Sequence, residues 1–177
     1  MSLKILVLGG AGYIGSHFCR LASERGFDVR VYDNFSTGHS WAVSSFDVVV
    51  GNILNTNRLA DAMSGVEAVF HFAAKSLVFE SVENPKMYLE NNVVGTRSVL
   101  TAMRKTGVCN LVFSSTAAVY GTPRRSLAAI PEEHPCRPVN PYGESKLLAE
   151  QAIDAWVEAG NGRAICFRYF NAAGAQA

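Results

Sequence analysis

The strict alternation of short apolar runs with helical patterns restricts this chain more than any other feature. Apolar runs stand at 4–8 (KILVL), 28–32 (DVRVY), 47–50 (DVVV), 68–72 (AVFHF), 110–115 (NLVFSS) and 163–170 (RAICFRYF). Helical patterns occupy 13–25, 55–63, 86–106 and 141–159 between them. Strand and helix in turn, with strands apolar on both faces, call for a parallel sheet covered by helices on both sides, because parallel strands are joined only through long crossovers. The expected fold class is therefore α/β, a doubly wound parallel sheet. At 177 residues, 49% of them hydrophobic, the chain is long enough for one buried core and too short for two, so 1–177 reads as one domain.

Composition narrows the partners. A formal net charge of +1, spread without blocks, offers no electrostatic footprint for nucleic acid or for an acidic membrane surface. Cys19, Cys109, Cys136 and Cys166 lie far apart, with no C-x-x-C pair and no histidine at ligand spacing, so neither a metal site nor a disulfide framework is indicated and a reducing, cytoplasmic setting is expected. The start, MSLKILVLGGAGYIG, reads as a buried strand rather than a signal peptide because glycines break the run after Leu8. No stretch approaches the ~20 apolar residues of a membrane span. Asn84–Pro85 and Asn140–Pro141 each supply an N-cap followed by proline at the first helical position, and Gly107 stands where the 86–106 helix should stop. His17, His39, His71 and His134 form no constellation, and Arg124 and Arg125 read as part of a solvated loop within 121–139.

After the first strand comes GGAGYIG, which contains G-x-G-x-x-G at Gly10, Gly12 and Gly15, and a second glycine pattern at Gly9, Gly12 and Gly15. Glycine there permits a tight turn and close approach of backbone to a pyrophosphate, while the helix that follows presents its free N–H groups to the phosphates. Any crowded turn uses glycine, so the loop needs its context: it follows a strand, opens a helix, and precedes Asp33 at the end of the second strand, about twenty residues on. A carboxylate there accepts bonds from ribose hydroxyls and repels a 2′-phosphate. No arginine follows in DNFSTGH to accommodate one, which favours NAD over NADP in a Rossmann-like site.

NPYGESK, at 140–146, places Tyr142 and Lys146 four apart on a helix, hence on one face. Two readings stand: a solvated surface, or an acid–base pair at the carboxyl edge of the sheet. A tyrosine acting as base near neutrality needs its pKa lowered by about 3 units, near 4 kcal/mol. One ammonium about 4 Å away at an effective dielectric of 20 supplies roughly that much.

GGAGYIGSH, YDN, FSSTAAVYG, PYGESK and RYFNAAGA, in this order, resemble the extended short-chain dehydrogenase/reductase family, and within it the N-terminal half of the UDP-hexose 4-epimerases. Dehydratases of that family carry an Asp-Glu pair where this chain has Ala117 and Ala118 after Thr116. The resemblance implies NAD-dependent inversion at C4 of UDP-galactose or UDP-glucose through a 4-keto sugar. Tyr142 would be the base, Thr116 its orienting partner and Lys146 the ribose holder that lowers the tyrosine pKa. It further implies a cofactor cleft formed by Gly9, Gly12, Tyr13, Ile14, Gly15, Asp33, Asn34, Asn52, Ile53, Phe72, Ala73, Ala74, Asn91, Ser114 and Tyr169, together with Tyr142 and Lys146. Substrate would be touched by Thr116, Tyr142 and, at its diphosphate, Asn171. On their own residues, Thr116 also fits a strand-end hydroxyl, Asn91 an ordinary helix position, and Tyr169 and Phe170 a core strand.

The chain departs from the family pattern in places. Asn52 stands where an aspartate is common, Lys75 and Ser76 shift a lysine by one position, and Phe79 replaces a glycine and is expected to crowd the pocket. The resemblance also implies that the C-terminal substrate lobe is absent from these 177 residues, and that two copies pair through helices 86–106 and 141–159. A dinucleotide-binding module without turnover is the alternative from another functional class.

Overall fold

The computed structural model describes residues 2–123 and 129–175, so Arg124 and Arg125 lie outside the described residues. Six parallel strands, β1 (Lys4–Leu8), β2 (Asp28–Asp33), β3 (Asp47–Val50), β4 (Ala68–His71), β5 (Asn110–Thr116) and β6 (Arg163–Tyr169), form one sheet in the order β3-β2-β1-β4-β5-β6. The order reverses at β1, whose Leu8 lies level with Tyr32 of β2 on one side and His71 of β4 on the other. In such sheets the crevice between diverging strands opens at that reversal. The helices are α1 (Tyr13–Glu24), α2 (Thr56–Ala62), α3 (Val78–Glu83), α4 (Pro85–Tyr88), α5 (Gly95–Thr106) and α6 (Pro141–Glu158). Short 3₁₀ turns stand at Ser40–Val43 and Ala117–Tyr120.

Period-two side-chain alternation sorts β1 between two cores. Leu6 and Leu8 join Leu59, Val99, Met103, Phe113, Ile153 and Trp156 beneath α2, α5 and α6. Ile5 and Val7 face the other way, with Cys19 and Ala22 of α1, Val29, Val31 and Val43. Phe18 of α1 reaches Phe70 and Phe72, at 4.4 and 5.3 Å between ring centroids. The apolar runs had led one to expect cover on both faces throughout; among the described residues that second face is covered over β1 and β2 but not over β6. On β6 only alternate residues are shielded: Ala164 and Cys166 pack against the first core, whereas Ile165 and Phe167 are 56% and 46% exposed.

Helix ends follow local chemistry in most places. Asn140 caps α6 by accepting from Gly143 N at 2.8 Å, and Gly107 ends α5 in the left-handed region at φ 75°. Asn84 does not cap: its side chain accepts no bond from α4, and the chain turns there directly out of α3, a helix the sequence pattern did not reveal. The expected 86–106 helix is likewise interrupted. Between α4 and α5 the backbone widens into a π-helical segment, Leu89–Val94, a distortion often found at functional sites. Among the described residues no helix is long and apolar enough to cross a membrane.

Candidate active site

The glycine loop is shaped by what surrounds it. Gly9 adopts φ 75°, and a Cβ there would stand 2.5 Å from Ala73 N, so only glycine lets β1 and the β4 exit run this close. A Cβ on Gly15 would run into the Gly9 carbonyl, so the third glycine seats α1 on the turn. Gly12 differs: a Cβ there would meet nothing nearer than Gly9 O at 3.4 Å, so glycine keeps open the cleft that it lines. Gly12 is also the N-cap of α1 and provides no capping side chain, and no acidic residue stands in the first turn. The first amides of α1 therefore face the cleft with their partial positive charge available to an anion.

Asp33, at the end of β2, is 8% exposed. Its Oδ2 accepts from Ala11 N at 2.9 Å and its Oδ1 from Phe35 N at 2.8 Å, which ties the glycine loop to the segment after β2 and leaves the remaining lone pairs toward the cleft. Phe35, at φ 56°, is the one non-glycine residue with positive φ among those described. Ser36, Thr37 and Gly38 extend this wall. The signal for them was the polar run STG directly after the acidic strand end.

Tyr142, Lys146 and Thr116 all line the same cleft as the glycine loop. Tyr142 lies in the first turn of α6 and faces the cleft with Thr116, whose hydroxyl, at the end of β5, accepts from Ala118 N at 3.2 Å. Lys146, one turn on, is 3% exposed, donates from Nζ to Ser114 O at 2.7 Å and lies over the Phe113 ring at 4.7 Å. Burial pushes its pKa down from 10.5 to about 7, against the upward pull of Glu150. The expected lowering of Tyr142 is not met in this arrangement. Desolvation raises the phenol, opposed by the Thr116 side chain, and the Lys146 ammonium is directed at the strand carbonyl.

A polar clamp missed by sequence reasoning supports this wall. Asn92, buried on the π-helical segment, accepts from Lys75 N at 2.9 Å and donates to Lys75 O at 3.0 Å and to Ser145 Oγ at 2.9 Å. Ser145 in turn donates to Tyr142 O at 2.8 Å. Thr96 donates to Asn92 O at 2.6 Å and meets His71 Nε2 at 3.1 Å, whose ring burial pushes down to about 3. The available signal was periodicity: Asn92 and Thr96 continue the buried stripe of Tyr88, Val99 and Met103, where polar side chains need internal partners.

Every expected site residue except Asn52 and Asn171 lines the cleft. The Asn52 side chain accepts from Leu54 N at 2.9 Å in a local turn, and its carbonyl accepts from Tyr32 OH, so it is spent outside the cleft. Asn171 is exposed just beyond β6, between the cleft residues Phe170 and Ala172. Tyr169 is half-buried at the cleft wall rather than in the core. Asn91 lines the cleft and donates to Asn92 Oδ1 at 3.0 Å. Phe79 does not crowd the pocket; it lies outside the lining, 77% exposed.

Known proteins share this architecture. The family described as NAD dependent epimerase/dehydratase matches residues 5–177. The chain is 46% identical to a UDP-glucose 4-epimerase of Corynebacterium glutamicum and 46% identical to one of Halalkalibacterium halodurans, in each case over 98% of this chain and 52% of the relative. Among solved structures, the UDP-glucose 4-epimerase from Brucella ovis in complex with NAD superposes with a TM-score of 0.95 at 46% identity, covering 99% of this chain and 54% of that one. The chain thus spans about half the length of the curated relatives it matches. With a family match across nearly all its residues and a superposition that covers 99% of its length, the chain belongs to the NAD dependent epimerase/dehydratase family.

Proposed function

We propose that the chain carries the cofactor cleft and the acid–base group of an NAD-dependent 4-epimerase acting on a UDP-hexose. The observation that carries this is the meeting, in one cleft, of uncapped α1 amides, Asp33, and the Tyr142–Thr116 pair with Lys146 below it. The cleft residues fit a dinucleotide: amides for the pyrophosphate, a carboxylate for ribose hydroxyls, and a floor at Gly12 that a methyl would fill. When bound, NAD would take up hydride from C4 of the sugar and return it to the other face of the 4-keto form.

The chain's own residues manage protons and position. Tyr142 takes the proton from the 4-hydroxyl and later returns it, with Thr116, on the same cleft wall, orienting the phenol and the sugar hydroxyl. Lys146 stands one turn below to hold ribose hydroxyls and to support phenolate charge once it turns from Ser114 O. Asn91 and Tyr169 border the cofactor side of the cleft, and Asn171 would reach the diphosphate of the sugar nucleotide. Two copies would pair through the α4–α5 and α6 helices; support comes from the exposed apolar patch of Val78, Phe79, Val82, Leu89 and Val94 beside them.

A second reading, a module that binds NAD without turnover, is favoured by the raised Tyr142 phenol and by Lys146 being engaged with the strand. A coupled assay with UDP-galactose and UDP-N-acetylgalactosamine separates the two. Interconversion lost in Tyr142→Phe while NAD stays bound upholds the epimerase, and tight NAD binding with no turnover of either sugar selects the module.

A further inference from the structure

Beside the acid–base pair lies a buried ionic network that the steps above do not use. Glu150 follows Lys146 by four residues on α6, so their side chains share a face, and it is 4% exposed. Its carboxylate accepts from Ser115 Oγ of β5, from Arg168 Nε of β6 at 3.1 and 3.2 Å, and from Arg168 Nη2 at 2.7 Å. Arg168 Nη1 donates to Tyr120 OH at 3.0 Å and Glu132 O at 3.1 Å, with the guanidinium 4.9 Å from the centre of the Tyr120 ring. One carboxylate therefore joins α6 to β5 and β6. Ser115 is flanked by the two cleft groups that matter: Ser114, whose carbonyl holds Lys146, and Thr116, which lines the cleft with Tyr142.

A bridge that only staples helix to sheet gains little from being ionic, since apolar side chains of similar volume often do as well. The position of Glu150 adds something an apolar bridge cannot: a negative charge on the face of Lys146. The other titratable neighbours of that lysine are neutral near pH 7. His71 from β4 is pushed down to about 3, by burial and then by Lys146. Cys166 from β6 is pushed up to about 12, by burial first, and Tyr142 is raised. Charge around the network comes from Glu150, from Arg168, and from Asp154, which Glu150 and Arg168 pull in opposite directions.

We propose that Glu150, anchored by Arg168, is a positioning residue that sets a negative charge on the face of Lys146, favouring its charged form beneath the cleft, and fixes the Ser114–Thr116 strand end against it. Its bearing on catalysis rests on the reading of Tyr142 and Lys146 as the acid–base pair.

The test is an NMR titration of the full chain carrying ¹³Cε-labelled lysine, with the Lys146 resonance assigned by its loss in Lys146→Met. In Glu150→Gln the Lys146 midpoint falls by about one to two pH units, a ten- to hundredfold loss of proton affinity. In Glu150→Asp most of it returns. Glu150→Met, an apolar side chain of similar length, removes the same charge and lowers the midpoint likewise, and it decides the matter if Glu150→Gln does not fold. A bridge that is merely structural lowers stability in these variants and leaves the midpoint where it was, which overturns the proposal. NAD affinity and UDP-galactose turnover on the same samples separate the two ideas. A shifted midpoint without any turnover removes the epimerase reading and leaves the positioning role standing.

Discussion

Replacing Lys146 with methionine should make the protein more stable at neutral pH while weakening its hold on NAD. The side chain is 3% exposed, and burial lowers its pKa from 10.5 to about 7. Between those values the unfolded chain holds a proton that the folded chain has released, so stability rises with pH by about 1.4 kcal/mol per unit in that window. Below pH 7 both states are protonated and the full penalty applies; above 10.5 it vanishes. At pH 7 the penalty is on the order of 4 kcal/mol, and losing the bond to Ser114 O offsets about 1 to 2 kcal/mol of the gain from removing the charge. Methionine fills a similar apolar space, so a net gain of roughly 2 kcal/mol is expected at pH 7.

Urea unfolding of both proteins at pH steps from 6.5 to 9.5 measures this directly, since stability follows from the midpoint and slope. The advantage of Lys146→Met should shrink by about 2 to 3 kcal/mol between pH 7 and pH 9, because wild type gains stability there and the variant does not. Parallel curves over that range, or a variant less stable than wild type at pH 7, would refute the assignment of a destabilised buried ammonium. A cleft residue that costs stability in this way is what a functional site, rather than a packing site, leaves behind.

Asn92→Ala removes the partner of Lys75 N, Lys75 O and Ser145 at once. A loss of about 2 to 4 kcal/mol in chemical unfolding is expected, with weaker NAD binding by calorimetry because the cleft wall at Lys75 loosens. Gly15→Val should abolish NAD binding, since even its Cβ collides with the Gly9 carbonyl and α1 must lift from the turn; unchanged affinity would contradict the seating described. Val82→Asp together with Phe79→Asp, both exposed on α3 beside the pairing helices, should turn a dimer into a monomer by light scattering while the circular dichroism of the fold stays unchanged. A wild-type chain that is already monomeric at micromolar concentration would remove the pairing through these helices.

The parts of this fold that were legible in the sequence are those set by local rules. Six apolar runs became six strands within one or two residues, because each is short, bounded, and packed on at least one face. The glycine loop was legible because its glycines stand together between a strand and a helix, and Gly15 answers to the Gly9 carbonyl six residues before it; the demand on Gly9 comes from the Ala73 backbone and could not be read from the loop. Helical periodicity placed Tyr142 and Lys146 on one face and left open whether that face was a solvated surface or part of a site. What remained hidden depends on atoms brought together from distant segments. Whether Asn52 faces a ligand or closes its own turn is decided by competition with Leu54 N, which no spacing reveals. The π-helical widening at Leu89–Val94 follows from setting Asn92 between the Lys75 backbone and Ser145, 17 and 53 residues away. Lys146 shows the same limit from the side of energy. Its place on a helix face was readable, but its charge state depends on a carboxylate one turn on, an arginine from the last strand and the loss of water around all three. Spacing therefore locates a functional group in this fold, and the buried network around it sets what that group does at a given pH.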